Sequence, residues 1–230
     1  MRAAPAARAW KWCDRRGVVT PDGSPVEAYA ALPAEPDLSV VLQHVRGRKK
    51  ILDLGAGAGR IADPLAGAGY DVLAVDESAE MLGHISRATP LQSRIEDFRS
   101  EERFDAVLLL SHLVNTAFDA HRQALLGTAA SHVVADGIVV LQRLDPGRDF
   151  RPGRSMLGSV EVCLLDVDDS QWPVVSATTR CSVSGQSWDQ PWQMTVLDDE
   201  ATTRALQDHN LHALRMDGAW VVATPASDAR

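Results

Sequence analysis

Lys50-Ile51-Leu52-Asp53-Leu54-Gly55-Ala56-Gly57-Ala58-Gly59-Arg60 is an apolar strand that runs into an acid and then breaks into glycine at every second position. A helical pattern follows from Arg60 to Ala68. Glycine reaches backbone torsions that a β-carbon forbids, and it lets a ligand approach the main chain closely. The start of a helix presents free N–H groups and about half a positive charge, so an anionic group is stabilised there. A strand, such a turn and a helix in succession read as a site for a nucleotide-type cofactor.

The spacing bears on which cofactor. The dinucleotide fingerprint is G-x-G-x-x-G. Counted from Gly55 and Gly57, its third glycine falls on Arg60. The glycines run G-x-G-x-G instead, two residues behind Asp53. In this stretch the chain resembles the class I S-adenosylmethionine (SAM)-dependent methyltransferases, whose first motif is acid-x-G-x-G-x-G. Val72-Leu73-Ala74-Val75-Asp76-Glu77-Ser78 is similar to the second motif of that family, a strand ending in an acid, and Met81-Leu82 extends the likeness. Asp76 follows Asp53 by 23 residues, the strand-helix-strand distance of a ribose-binding acid.

At 230 residues the chain is one domain of ordinary size with material for a substantial core. A net charge of −8 argues against a general nucleic-acid binder or an anionic-membrane binder. Cys13, Cys163 and Cys181 are too few and too odd for a disulfide framework. No apolar run nears the ~20 residues that span a bilayer, and the opening lacks a secretory apolar core. These features lead us to expect a soluble, reducing, cytoplasmic setting. The Arg- and Ala-rich start, free of acids over its first eight residues, reads as a frayed arm in preference to an organelle transit peptide, with Trp10 and Trp12 framing a basic patch.

The expected architecture is an α/β, Rossmann-like, mostly parallel seven-stranded sheet with helices on both faces, a closing antiparallel hairpin and a small antiparallel β insert. Residues 1–37 are an N-terminal arm or lid with a short helix over 26–32, and a second helix over 38–45 opens the core. Residues 38–150 and 198–230 form the core. Strands are expected near 50–54, 71–75, 90–93, 104–110 and 137–143, and helices near 60–68, 78–87 and 119–134, in the alternation of βαβ units. Residues 151–197 are the insert, with strands over 158–167, 173–184 and 192–197. Val175, Ala177, Thr179, Cys181 and Val183 alternate there with polar residues, as in strands with one wet face. Trp172, Trp188 and Trp192 are placed at its turns and strand starts, and its exposed strands could pair across a homodimer. Asp198-Asp199-Glu200 begins a helix, and Asp217-Gly218 between two apolar runs signals a hairpin.

In open parallel sheets ligands bind at the carboxyl ends of the strands. The resemblance then implies the site. Asp53 and the backbone of Gly55, Ala56, Gly57 and Gly59 would take the methionine end of SAM, and Asp76 its ribose. Glu77, Met81 and Ile95 would form the adenine slot. Glu96 stands near the acid that many family members place against the adenine amine, and Ser111 lines the space beside the sulfonium. Tyr29, His112, Asn115 and Arg143 are the expected substrate-pocket residues, with His112 as a candidate general base. No metal-ligand spacing appears. The reaction implied is in-line transfer of a methyl group from SAM to an N, O or C nucleophile of a small molecule, leaving S-adenosylhomocysteine. Two other readings stand beside it. One is an NAD-dependent oxidoreductase on a related sheet, against which Arg60 counts; the other is a SAM-binding or partner-binding module without turnover.

Overall fold

The computed structural model describes residues 18–21 and 23–226; Trp10, Trp12, Cys13 and the rest of the expected arm up to residue 17 lie outside them. Strand β1 (Lys50–Leu54) sits inside the main sheet, with every residue but the first buried. It pairs in parallel with β2 (Asp71–Asp76) on one side and β4 (Phe104–Leu109) on the other. The seven strands run in the order β3 (Thr89–Gln92), β2, β1, β4, β5 (Val133–Gln142), β11 (Trp220–Pro225), β10 (Leu211–Asp217). β11 is antiparallel to both its neighbours, and the other pairings are parallel. Strand order reverses between β1 and β4, so their carboxyl ends flank the crevice in which such sheets bind ligands.

The unbroken apolar run of β4 follows from burial on both faces. Its Val107 and Leu109 join Leu52, Leu54, Val139 and Leu141 under α5 (Asp119–His132) and α6 (Asp199–Gln207). Its Ala106 and Leu108 join Ile51, Val72, Ala74 and Val140 on the opposite face, under α2 (Asp37–Val45) and α3 (Ala62–Gly67). The helix expected over 78–87 is a single turn, α4 (Ala79–Leu82). Gly83 follows it, and the Asp63 carboxylate then takes the backbone N–H groups of Ser86, Arg87 and Ala88 at 2.8–3.0 Å. Those bonds hold the chain in an extended turn that a helix could not share.

Between β5 and α6 lies a second, antiparallel sheet of four strands, ordered β6 (Gly153–Leu157), β7 (Val160–Gln171), β8 (Val174–Val183), β9 (Gln186–Thr195). Three strands were the expectation. β6 has no apolar alternation and is exposed throughout, so only its backbone ladder to β7 makes it a strand. β9 contains Pro191, which argues against a central strand; β9 is an edge strand, where a missing donor is tolerated. Trp188 and Trp192 therefore lie within β9 and not at turns, whereas Trp172 does occupy the β7–β8 turn and is exposed. One face of this sheet packs Val160, Cys181, Val183 and Trp188 against Ala28 of α1 (Val26–Ala30). The closing hairpin is present, with its two-residue loop at Gly218-Ala219 and Asp217 already paired to Trp220.

Candidate functional site

The backbone N–H groups of Gly55 and Ala56 both donate to the Val75 carbonyl, at 2.8 and 3.0 Å, which docks the loop after β1 onto the end of β2. Gly55 has φ +74°, a left-handed torsion that favours glycine, and a β-carbon there would also push on Cδ1 of Leu113, 2.4 Å away. Gly57 (φ +56°) differs: a β-carbon would meet nothing within 4 Å. Its face of the loop is open to a ligand. The Gly57 N–H donates to Asp76 Oδ2 at 2.8 Å, and the Ser78 N–H donates to Oδ1 at 2.9 Å. One carboxylate thus fixes the glycine loop and the start of α4 together. Ser78 Oγ also accepts from the Met81 N–H at 3.2 Å, which caps α4 and leaves Met81 buried beside it.

Asp53 is two residues before the loop, 3% exposed and in register with Ala74 of β2. Both acids consequently stand at the carboxyl rim of adjacent parallel strands. Burial raises the pKa of Asp53 to about 7; Arg60 opposes that rise and the charge of Asp76 adds to it. A buried acid poised near neutrality is ready for a cationic ligand group, which would hold it ionised. Ile95 is buried at the start of a 3-10 turn, with Cδ1 3.4 Å from where a Gly55 β-carbon would be and its carbonyl held by Thr128 Oγ1. The Glu77 carbonyl accepts from Gln92 Nε2. The Glu96 carboxylate is paired with Arg94, its other oxygen lying 4.0 Å from Nε2 of His121.

Ser111 and His112 follow β4 with consecutive left-handed torsions, φ 55° and 61°, an uncommon backbone for residues other than glycine and a mark of functional turns. The Ser111 N–H donates to Gln142 Oε1 at 2.9 Å. His112 is half-buried, and its Nδ1 is fully buried with no partner among the described residues. Burial lowers its pKa, the Arg143 backbone and Asp37 oppose this, and Arg148 and Arg60 reinforce it. His112 is therefore neutral at pH 7.

Three expected pocket residues are placed elsewhere. Asn115 is fully buried; its Nδ2 donates to the Thr195 carbonyl at 2.8 Å and its Oδ1 accepts from the Leu144 N–H at 2.7 Å. Both ends of that amide staple β9 to the end of β5. Arg143 is 1% exposed and donates to the carbonyls of Gly218 and Leu197, to Thr202 Oγ1 and to Asp199. It holds α6 and the hairpin to β5. Tyr29 Oη donates to Gln190 Oε1 at 3.2 Å, so α1 is tied to the second sheet.

Two side chains that the sequence reading left aside complete the cluster: Asp37, paired with Arg60 at 2.9 Å, and Gln142. A glutamine that closes an otherwise apolar buried strand is the available sequence signal for the latter. Two cavities, of about 230 and 360 Å³, lie elsewhere, between α2 and the β10–β11 hairpin and between α5 and α6. Neither touches the glycine loop, and the hydrogen-bonded geometry of the loop, not void size, marks the site.

Residues 51–137 match the protein family described as "Methyltransferase domain". The main sheet is also that of solved methyltransferases: an S-adenosylmethionine-dependent methyltransferase from Clostridium acetobutylicum superimposes with a TM-score of 0.67 at 12% identity, over 88% of this chain and 92% of that one. Residues 51–137 are thus similar to a methyltransferase domain. The SAM-bound amino pentose methyltransferase from Micromonospora echinaspora also superimposes, with a TM-score of 0.65 at 18% identity over 84% of this chain and 90% of that one. Among curated proteins, a dTDP-3-amino-3,6-dideoxy-alpha-D-glucopyranose N,N-dimethyltransferase from Streptomyces fradiae is 30% identical over 128 residues, 54% of this chain and 50% of that protein. The chain spans about half the length of the curated relatives it matches.

Proposed function

We propose that the methyltransferase domain binds SAM at the glycine loop and transfers its methyl group to a small molecule bearing an amine. The observation that carries this reading is the pair Asp53 and Asp76, set on neighbouring strand ends around an open Gly57. The fit is chemical. Asp53 would take the ammonium of the cofactor, the loop N–H groups its carboxylate, Asp76 its ribose hydroxyls, and Met81 and Ile95 would flank its adenine. Glu77 and Ser111 border this cleft, and Glu96 closes its outer side. When bound, the cofactor supplies a methyl group on a positively charged sulfur, the electrophile of the reaction.

What the chain adds is orientation and proton handling. Positioning two reactants in line accounts for about 7–11 kcal/mol of barrier without a catalytic side chain. A protonated amine must lose a proton to attack, and His112, kept neutral by burial, is the group at the acceptor rim able to take it. An amino sugar is the acceptor class we favour, supported by the substrates named for the Streptomyces and Micromonospora relatives. Residues 33–37, held by Arg60, would border the cleft. Strand β6, exposed along its length, is the edge by which the insert would pair in a homodimer. None of the helices among the described residues is long and apolar enough to cross a membrane; with the sparse cysteines, we infer a soluble cytoplasmic protein.

Calorimetry with SAM and S-adenosylhomocysteine tests the cofactor, and no heat with either ligand would end the reading. Asp76→Ala is expected to weaken binding by about 1–3 kcal/mol, the effect of leaving hydroxyls and the Gly57 N–H without their acceptor. With an amino sugar that turns over, His112→Gln is expected to lower kcat by about 10²-fold with cofactor affinity retained. Equal rates for wild type and variant would remove His112 from the chemistry.

A further inference from the structure

Arg60 occupies the position of a third dinucleotide-type glycine, directly after the cofactor loop. Its guanidinium is held by the N-terminal segment. Nη1 donates to the carbonyls of Pro33 and Ala34, at 3.2 and 3.5 Å, and Nη2 pairs with Asp37 Oδ2 at 2.9 Å. The other oxygen of Asp37 accepts from Gln142 Nε2 at 3.1 Å, and Gln142 Oε1 accepts from the Ser111 N–H at 2.9 Å. The chain of contacts is continuous: glycine loop, segment 33–37, the end of β5, then the strained Ser111-His112 turn. Both ion-pair side chains are about four-fifths buried, at 19% and 21% exposure, so water screens them little.

We propose that Arg60 is a positioning residue that, through Asp37 and Gln142, sets the Ser111-His112 turn in register with the cofactor loop. The proposal rests on the reading of that loop as the SAM cradle. Ordering of the loop by the cofactor then orders the acceptor rim as well, because the two share one hydrogen-bonded relay with two alternatives, joined or broken. By linkage, breaking the relay at its far end must weaken cofactor binding by the same factor that cofactor binding would have tightened the turn.

Hydrogen exchange and calorimetry on the full chain test this. Asp37→Asn removes the charge that Arg60 pairs with. Gln142→Glu keeps an acceptor for Ser111 but sets a carboxylate against Asp37. Both variants are expected to speed exchange at residues 33–38 and at 110–113, leave α5 and β4 as protected as in wild type, and weaken S-adenosylhomocysteine about five- to tenfold. Asp37→Glu, which keeps the charge, is expected to recover most of that affinity. Exchange that rises everywhere would mean global destabilisation and would overturn the proposal. So would unchanged exchange at 110–113 in variants of a wild type that binds the ligand; the cofactor reading would survive that result. A wild type that binds no S-adenosylhomocysteine sinks the cofactor reading itself, and the proposal with it.

Discussion

Asp53→Asn is expected to make the ligand-free protein more stable above pH 7 while weakening S-adenosylhomocysteine binding by about two orders of magnitude. Asp53 is 3% exposed, and burial, with the charge of Asp76, lifts its pKa to about 7 against the pull of Arg60. An unfolded aspartate titrates near 3.9, and each unit of difference is worth about 1.36 kcal/mol. Between about pH 4 and 7 the folded state holds a proton that the unfolded state has released, so stability falls as pH rises through that window. Above it the ionised, buried carboxylate lowers stability by on the order of 2–4 kcal/mol, and asparagine removes the charge without changing the shape. Urea melts at pH 4 and pH 8 read this directly: near-equal stabilities at the lower pH, and a more stable variant at the higher. The affinity loss comes from the same charge, since a charge-assisted hydrogen bond to a ligand ammonium is worth about 1.5–3 kcal/mol. Wild-type affinity should also weaken as pH drops from 7 to 5, because the proton competes with the ligand ammonium. An asparagine variant with undiminished affinity would show that the acid does not contact the ligand.

This trade between stability and binding explains why the site was legible before any coordinates. An acid at the end of an apolar strand is anomalous by composition, and a function has to justify it. The glycine spacing, the strand-helix-strand distance to Asp76 and the unbroken run of β4 are local features, so the sheet order and its rim follow from them. The insert was only half legible. β8 alternates cleanly because one face packs on α1, but β6 carries no pattern at all. Pro191 reads as a break until β9 is known to be an edge. Least legible were Asn115 and Arg143. Each stands where a polar residue after a parallel strand points to a pocket, and each is instead consumed by backbone groups 29 to 80 residues away. Such partners are fixed by tertiary packing, which no local pattern encodes.

Arg143 turns that difference into a measurement. Arg143→Met is expected to lower the free energy of unfolding by about 3 kcal/mol and leave S-adenosylhomocysteine affinity within about twofold. Methionine has a similar length and fills the volume, so the loss is one of hydrogen bonds and not of packing. Nε serves the Gly218 carbonyl at 3.1 Å, and Nη1 serves the Leu197 carbonyl at 3.1 Å and Thr202 Oγ1 at 2.6 Å. Each buried acceptor left unpaired costs about 1–3 kcal/mol, partly relieved by relaxation. Asp199, the ionic partner, is 72% exposed and regains water, so its share is small. The variant should therefore unfold at lower denaturant with an unchanged slope, because the surface exposed on unfolding stays the same. A variant of full stability that binds the cofactor but loses the acceptor would return Arg143 to the substrate pocket.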